Sequence, residues 1–181
     1  MKLRPPVTFA TARLHGRPPR ADDGPAVFAA YAADPEVTRY LSWRAYERVE
    51  PLNAFLSECV SHWEKGSGHL AWLLCLKGTD SPVGSIGVTL EGDGRAMFGY
   101  VLGKKFWGHG FAAEALTHLV DWALARPEIF RAWAFCDVEN PASVRVMEKA
   151  GMQREGVLRR WHACPTLGPG LRDCVVCAKV R

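Results

Sequence analysis

Three short apolar runs, joined by connections too short to hold a helix, constrain the fold of this chain more than any other feature. The runs are rich in residues that favour β-strands, and each connection contains glycine and polar residues. Connections of this length can join only antiparallel neighbours. The segment therefore predicts an antiparallel meander rather than a βαβ unit, with strands at residues 70–76, 82–90 and 96–102.

Helical periodicity marks the segment that begins at Pro51. Apolar residues recur there at spacings of three and four, so they form one stripe along a helix, and the stripe ends at Gly66. A shorter helix is predicted before it, where Asp22 and Asp23 can cap its first turn and residues 34–35 would end it.

Two later helices flank a strand. The first is predicted at residues 110–125 and the strand at 131–137. Asn140 then opens the second helix, because a capping side chain is followed by Pro141 at the first helical position, and Gly151 supplies the C-terminal stop.

The remaining segments complete the order of elements. One strand is expected within residues 7–14, and two more at 152–163 and 171–180. The order is therefore strand, two helices, three antiparallel strands, helix, strand, helix and two strands. Such an order is typical of an α/β fold on a largely antiparallel sheet.

Composition excludes several classes of protein. The chain has 181 residues, of which 48% are hydrophobic and 23% charged, and no linker or repeat divides it, so a single domain over residues 1–181 is expected. The net charge of +4 is scattered, which argues against a nucleic-acid partner. No run approaches the roughly 18 apolar residues that cross a bilayer, and no apolar run follows the charged start. No membrane partner and a cytoplasmic location are therefore expected.

The six cysteines are spread through predicted helices and strands. In a chain of this length without a secretion signal they are expected to be reduced core residues. Only Cys174 and Cys177 lie close in sequence, and the alternation of a strand would point their sulfurs to opposite faces. No metal site is expected.

The segment from Trp107 to Ala113 has the composition of an anion site at the junction of a strand and a helix. Its small residues leave the backbone unobstructed, and the first N–H groups of a helix have no internal partner. Together with the helix dipole these groups can hold a pyrophosphate, and Lys104 and Lys105 are close in sequence. A tight turn that binds nothing is the alternative.

A dinucleotide-binding fingerprint is a second alternative, because Gly108, Gly110 and Ala113 have the required spacing. That fingerprint places its glycines directly after the first strand of a parallel βαβ unit. Here an antiparallel meander precedes the glycines and residues 103–106 intervene, so a nicotinamide or flavin site is not favoured.

An ordered set of short motifs spans nearly the whole chain, and each motif is weak alone. The set comprises Thr11-Ala12-Arg13-Leu14, residues 34–43, Gly99-Tyr100-Val101-Leu102, residues 107–115, residues 139–152 and Arg172-Asp173. With these motifs the chain resembles the GNAT acetyltransferases and, within them, the ribosomal-protein-type RimJ/RimL branch. The resemblance implies the GNAT fold: a mixed, mostly antiparallel sheet of seven strands with a central splay, flanked by four helices.

The resemblance also implies acetyl-CoA as co-substrate, without a metal. The pantetheine arm would lie in the gap between the strand ending at Leu102 and the strand at 131–137, beside Val101. Asn140 would hydrogen-bond the pantetheine, and Ser143 would lie near the thiol. The pyrophosphate would be bound by the backbone N–H groups of His109, Gly110, Phe111, Ala112 and Ala113.

Two positions depart from the family's pattern. Met147 stands where many relatives carry a tyrosine acid, four residues after Ser143, and Met97 stands where relatives commonly carry glutamate. Direct attack of an amine on a thioester still requires a deprotonated amine and a leaving thiolate that can be protonated. Ser143 is the candidate acid, with a helix-capping hydroxyl as its alternative role.

Four candidates for the general base stay open. Glu91 is the candidate assigned here, and Asp93, His162 and a water chain are the alternatives.

Four further residues resemble positions that line the acceptor pocket. Trp43 and Arg44 precede the second helix, and Trp161 and His162 lie in the final pair of strands. A core position is the alternative role for Trp43.

The function implied by the resemblance is transfer of the acetyl group of acetyl-CoA to a primary amine. The acceptor would be a protein N-terminal α-amine or a small-molecule amine. Because the usual acid and one usual base are absent, a non-catalytic sensor or scaffold that binds a CoA ester is the alternative. The chain is expected to be a monomer or a homodimer.

Overall fold

The computed structural model describes residues 3–181 and contains one sheet of eight strands. The strands are β1 Phe9–Ala10, β2 Leu14–Arg17, β3 His69–Leu76, β4 Pro82–Glu91, β5 Arg95–Leu102, β6 Arg131–Asp137, β7 Gln153–Ala163 and β8 Leu171–Val180. Their order across the sheet is β1-β2-β3-β4-β5-β6-β8-β7. Neighbours are antiparallel except β5 and β6, which are parallel. The predicted meander is confirmed as β3, β4 and β5.

Four α-helices accompany the sheet, as predicted. They are α1 Gly24–Val27, α2 Val49–Lys65, α3 Phe111–Leu124 and α4 Pro141–Lys149. The first is short and continues as a π-helical turn over Phe28–Ala32. Within the part of the chain that the structure describes, none of the helices has both the length and the apolar character of a membrane span.

The N-terminal segment contains two strands where one was predicted, which raises the strand count from seven to eight. Thr11 ends the first strand because its N–H donates to the Leu14 carbonyl at 2.9 Å, and its hydroxyl accepts from the Leu14 N–H at 3.0 Å. This turn interrupts the predicted strand at residues 7–14, and the second strand of the β1-β2 hairpin extends past its predicted end to Arg17.

The predicted side-chain cap of α1 is wrong. The Asp23 carboxylate makes no capping bond. It binds the Arg17 guanidinium instead, at 2.7 and 2.8 Å, and the Arg20 N–H at 2.6 Å. A charge-assisted pair of this kind is stronger than a neutral cap, so the carboxylate turns toward Arg17.

The helices cover both faces of the sheet. Leu116 of α3 and Met147 of α4 are fully buried in one cluster with Ile86 of β4. On the opposite face, Leu56 of α2 packs in a second cluster with Leu73 of β3. Because both faces of the central strands are covered, β3 and β4 are apolar along almost their whole length.

The central splay implied by the resemblance is present between β5 and β6. The two strands pair only at Arg95 with Arg131, Ala96 with Ala132 and Met97 with Trp133. Beyond that point β5 stays with β4 as far as Leu102, and β6 stays with β8 as far as Asp137. The sheet is therefore open between residues 98–102 and residues 134–137.

Candidate active site

The edge of β5 along this opening carries backbone groups without a strand partner, because the pairing with β6 stops at Met97. Val101 and Leu102, both predicted to contact the co-substrate, lie on this stretch. The Leu102 carbonyl accepts a hydrogen bond from Trp107 Nε1 at 2.8 Å. Trp107 thus fastens the following turn to the end of β5.

The turn between β5 and α3 has the free N–H groups that an anion requires. The first helical bond runs from the Glu114 N–H to the Gly110 carbonyl, at 3.0 Å. Among residues 3–181, no carbonyl or side chain accepts a hydrogen bond from the N–H groups of residues 108–113. A Cβ added at Gly108 would meet no atom within 4 Å, so the space beside the turn is open. These features fit a pyrophosphate.

The fold does not favour a dinucleotide-binding site at this turn. The helix α3 does connect two parallel strands, a relation that the antiparallel meander did not reveal. However, a 3₁₀ turn at Lys104–Phe106 separates β5 from the glycines, and β5 and β6 diverge after three pairs. The turn does not follow the strand directly, as the fingerprint requires.

Of the two lysines expected to add positive charge beside this turn, Lys105 is exposed and Lys104 is paired, and an arginine also lies there. Lys104 Nζ lies 2.6 Å from Glu36 Oε1 and is engaged in that ion pair. Arg13, far away in sequence, donates from Nη1 to the His109 carbonyl at 2.9 Å. Sequence reasoning placed Arg13 in a family motif but gave it no role.

Asn140 caps α4, as predicted. Its Oδ1 accepts a hydrogen bond from the Ser143 N–H at 3.1 Å. Its Nδ2 has no partner among the described residues and lies at the start of a helix that directly follows β6. This amide can therefore donate to a ligand in the opening.

Ser143 does not act as a capping hydroxyl. Its Oγ lies 2.7 Å from the Tyr100 hydroxyl, which is also 3.0 Å from the Ser143 carbonyl oxygen. This contact joins β5, on one side of the opening, to the helix that follows the strand on the other side. Burial raises the pKa of Tyr100, although the Ser143 hydrogen bond opposes the rise, so the phenol stays neutral and can donate.

Tyr100 is the functional candidate that sequence reasoning missed. It belongs to a motif quoted above, but the sequence gives no sign that its hydroxyl meets a residue 43 positions away. The nearby Cys136 thiol is neutral as well. Burial raises the pKa of the nearby Cys136 thiol to about 12, and its Sγ lies 3.7 Å from the Asn140 carbonyl.

A cleft of about 490 Å³ lies on the face of the sheet opposite α3 and α4, against the paired part of β5 and β6. Met97 and Trp133 point into it, whereas Ala96 and Ala132 alternate with them and pack toward α3 and α4. The residues that line the cleft are Glu91, Arg95, Met97, Trp133, Phe135, Trp161 and His162.

The structure brings three of the predicted acceptor-side and catalytic residues together in this cleft: Glu91, Trp161 and His162. It does not bring Trp43 or Arg44 there. The Trp43 ring packs 5.5 Å from the Tyr46 ring in the α1-α2 cluster, and Arg44 is exposed. The alternative role of Trp43 as a core aromatic describes its contacts better than a pocket role.

His162 owes its position to an irregularity in β7. The register to β8 shifts between Leu158 and His162, and Arg160 within the bulge has φ 45°, which is unusual for a residue other than glycine. The His162 ring lies 4.9 Å from the Phe135 ring, just beyond the last β5-β6 pair. Burial lowers the pKa of His162, so its imidazole is neutral near pH 7.

Glu91 lies at the far end of the cleft from Ser143. Its Oε2 accepts from Trp133 Nε1 at 3.1 Å and pairs with Arg95 Nε at 3.2 Å. Arg95 is opposite Glu91 in the sheet, and Tyr100 is five residues farther along β5, which is about 17 Å at about 3.4 Å per residue. This separation does not support Glu91 as a direct base at a thioester held beside Ser143.

Comparisons with known proteins agree with these features. Residues 13–153 match the family model of the acetyltransferase (GNAT) domain. The chain is similar to the uncharacterised N-acetyltransferase p20 of Bacillus licheniformis, with 30% identity over 86% of this chain and 87% of that protein. The crystal structure of a GNAT-family acetyltransferase from Bacillus anthracis superposes with a TM-score of 0.81 at 25% identity, covering 96% of this chain and 98% of that one.

RimL, the ribosomal L7/L12 α-N-protein acetyltransferase solved in complex with coenzyme A, has the same fold. Its TM-score is 0.81 at 20% identity, and the match covers 97% of this chain and 96% of that one. This similarity concerns the fold, which RimL shares with the Bacillus anthracis enzyme at the same TM-score.

Proposed function

Because the chain belongs to the GNAT acetyltransferase family and is an acetyl-CoA-dependent acetyltransferase, we propose that it acetylates a primary amine that enters through the aromatic cleft. One observation carries this proposal: the opening between β5 and β6. The free N–H turn and the Tyr100–Ser143 pair lie at this opening on one face of the sheet. The cleft lies on the opposite face.

The co-substrate is proposed to span the opening. The N–H groups of His109 to Ala113 bind the pyrophosphate, because they have no other acceptor. The pantetheine follows the free edge of β5 at Val101 and Leu102 and receives a hydrogen bond from Asn140 Nδ2. Its sulfur then lies beside Ser143.

The residues around the opening supply the proton transfers. His162 is neutral, because burial lowers its pKa, and in this proposal it takes the proton that the amine loses as its nitrogen attacks the carbonyl carbon. The C–N bond forms and the C–S bond breaks. Ser143 Oγ donates a hydrogen bond to the leaving thiolate, and Tyr100 holds that hydroxyl in place.

The lining of the cleft indicates the class of acceptor. Trp133, Phe135 and Trp161 offer aromatic surface, and the Glu91 carboxylate lies at one end. An amine carried on an apolar or aromatic group fits this lining. Glu91 is proposed to attract the ammonium form as it enters the cleft rather than to act as base, and the ammonium loses one proton to solvent before its neutral nitrogen reaches the thioester. Both an N-terminal α-amine and a small-molecule amine satisfy this description.

The test is turnover with a panel of amines. The protein is incubated with acetyl-CoA and either small aromatic or aliphatic amines or peptides with free or blocked N-termini, while free thiol is measured. We expect thiol release with amines that carry an apolar group, none with blocked peptides, and acetylated product by mass spectrometry. Tight acetyl-CoA binding without turnover on any amine or peptide would contradict the proposal and favour a non-catalytic CoA-ester sensor.

A further inference from the structure

The Thr11–Arg13 segment makes a dense set of contacts at the start of α3. Thr11 Oγ1 donates to Glu114 Oε1 at 2.6 Å, and the Arg13 N–H donates to the same oxygen at 2.8 Å. Arg13 Nε donates to Glu114 Oε2 at 2.7 Å, and its Nη1 reaches the His109 carbonyl. The guanidinium also lies over the Phe111 ring, 4.7 Å from the centroid. The N-terminal hairpin is thereby attached to the turn that faces the opening.

The Glu114 carboxylate at the start of α3 needs a compensating cation if a phosphate is to bind nearby. It lies in the first turn of α3, where a carboxylate interacts well with the helix dipole but repels a phosphate bound at the same end. Burial tends to raise its pKa, but the hydrogen bonds from Thr11 and Arg13 outweigh burial and lower it, so the carboxylate stays ionised. Arg13 neutralises this charge next to the proposed pyrophosphate site.

Arg13 also has a guanidinium nitrogen that is not engaged in the contacts with Glu114 and His109. Its Nη2 has no hydrogen-bond partner among the described residues and lies 3.5 Å from the point where a Cβ at Gly110 would stand. The side chain is half exposed, at 50%. The Nη2 donor thus lies beside Gly110, one of the residues whose free N–H groups form the turn before α3.

We propose that Arg13 is a phosphate-binding residue of this enzyme: its guanidinium donates to the pyrophosphate of CoA while it neutralises Glu114 and fixes the turn at His109. The inference rests on the proposed placement of acetyl-CoA. Arginine suits this role because its planar fork can bind a carboxylate on one edge and a phosphate on the other.

Calorimetric titration of the full chain with CoA, dephospho-CoA and pantetheine tests the proposal. Dephospho-CoA keeps the pyrophosphate, and pantetheine has no phosphate. For Arg13→Gln we expect about tenfold or greater weakening of CoA and dephospho-CoA binding, the loss typical of one charge-assisted hydrogen bond, with pantetheine binding unchanged. The matched control is Lys179→Gln, which removes a cation paired with Asp121 of α3 at 2.8 Å, and it should leave all three affinities unchanged.

Two results would overturn the inference while leaving the proposed function intact. One is CoA binding by Arg13→Gln within twofold of the wild type. The other is equal weakening of CoA and pantetheine, which would indicate a structural role alone. If Arg13→Gln does not fold, Arg13→Lys replaces it. This variant should weaken the binding of CoA but not of pantetheine, because one ammonium cannot bind both the Glu114 carboxylate and the pyrophosphate. Undiminished CoA binding by Arg13→Lys would overturn the inference. Failure of the wild type to bind CoA would instead remove the proposed function, and this inference with it.

Discussion

At the scale of single residues, the proposed mechanism depends on a neutral hydroxyl pair rather than on a charged acid. Tyr100 and Ser143 meet at 2.7 Å in surroundings where burial raises the pKa of Tyr100 and keeps the Cys136 thiol protonated. A leaving thiolate there would be partly shielded from water, so a single well-placed donor is worth more than it would be in bulk solvent. The contact also gives Ser143 one defined orientation.

Removing the Tyr100 hydroxyl should therefore affect turnover more than binding. For Tyr100→Phe we expect kcat to fall about tenfold, since Ser143 loses the partner that orients it, with the KM for acetyl-CoA within about twofold of the wild type. For Ser143→Ala the fall should be larger, and the double variant should be no slower than Ser143→Ala because the two hydroxyls act as a unit. Steady-state kinetics with one accepted amine measures all three, and additive losses would contradict the coupling.

As the proposed base, His162 would give activity a pH dependence with a defined sign. Burial lowers the pKa of its imidazole below the ordinary 6.5, so the neutral base is present at pH 7 and is lost as the pH falls through that lowered value. We expect kcat/KM to show an additional acid limb below pH 6.5, beyond the fall that protonation of the acceptor amine itself causes. His162→Gln should lower kcat about a hundredfold and abolish this limb.

The control for the base is Glu91→Gln, which removes the carboxylate that lines the cleft and leaves the imidazole in place. If Glu91 binds the acceptor, this variant raises the KM for the amine and keeps the acid limb. A profile in which Glu91→Gln loses the limb and His162→Gln keeps it would reverse the two assignments.

At the scale of elements, the entry to α3 depends on glycines in the left-handed region. Gly108 has φ 78° and Gly110 has φ 81°, and these two residues turn the chain so that its N–H groups face the opening. A residue with a Cβ is strained at such angles by about 1–2 kcal/mol. The shape of the turn and the direction of its donors are therefore linked.

Gly110→Ala should consequently lower both stability and affinity. We expect a loss of about 1–2 kcal/mol in the free energy of unfolding, and weaker acetyl-CoA binding because the donors shift. Gly78→Ala is a matched control, since Gly78 has φ 83° with no atom within 4 Å of an added Cβ, in the turn between β3 and β4. It should lose similar stability but keep its affinity; equal loss of affinity in both variants would show that stability alone explains the effect. Urea unfolding and calorimetry provide the two measurements.

At the scale of the whole molecule, ion pairs attach the N-terminal elements to the sheet. The Arg17 guanidinium is buried and binds both oxygens of Asp23, before α1, and Asp80, in the turn between β3 and β4. Breaking a buried pair costs roughly 3–5 kcal/mol, since it leaves a charge without compensation. This cluster lies away from the opening, so it bears on stability rather than on chemistry.

Asp23→Asn should lower the free energy of unfolding by about 2 kcal/mol, less than the full cost because Asp80 still compensates Arg17. Acetyl-CoA affinity of the folded protein should not change. The control is Asp121→Asn, which removes an exposed pair with Lys179 and should cost less than about 1 kcal/mol. Urea denaturation measures the free energy of unfolding of both variants. Equal decreases would mean that burial adds nothing to the stabilisation by the Arg17 pair.

Local signals in the sequence determined most of the elements. The meander, the glycine turn and the helix opened by Asn140 and Pro141 were predictable because strand alternation, capping and short connections act within a few residues. They also indicated a phosphate turn beside a candidate acid, Ser143. The extra strand at Phe9–Ala10 and the lack of a side-chain cap on α1 were not predictable, since they depend on the Thr11 turn and on the distant Arg17.

Only the tertiary structure decided how the site is arranged. The Tyr100–Ser143 contact, the clamp of Arg13 on Glu114 and the bulge that brings His162 to the cleft join residues far apart in the chain. The register between β4 and β5 places Glu91 far from Ser143. Such relations depend on strand order, pairing and where two strands diverge, and these follow from the packing of the whole sheet rather than from any short stretch of sequence.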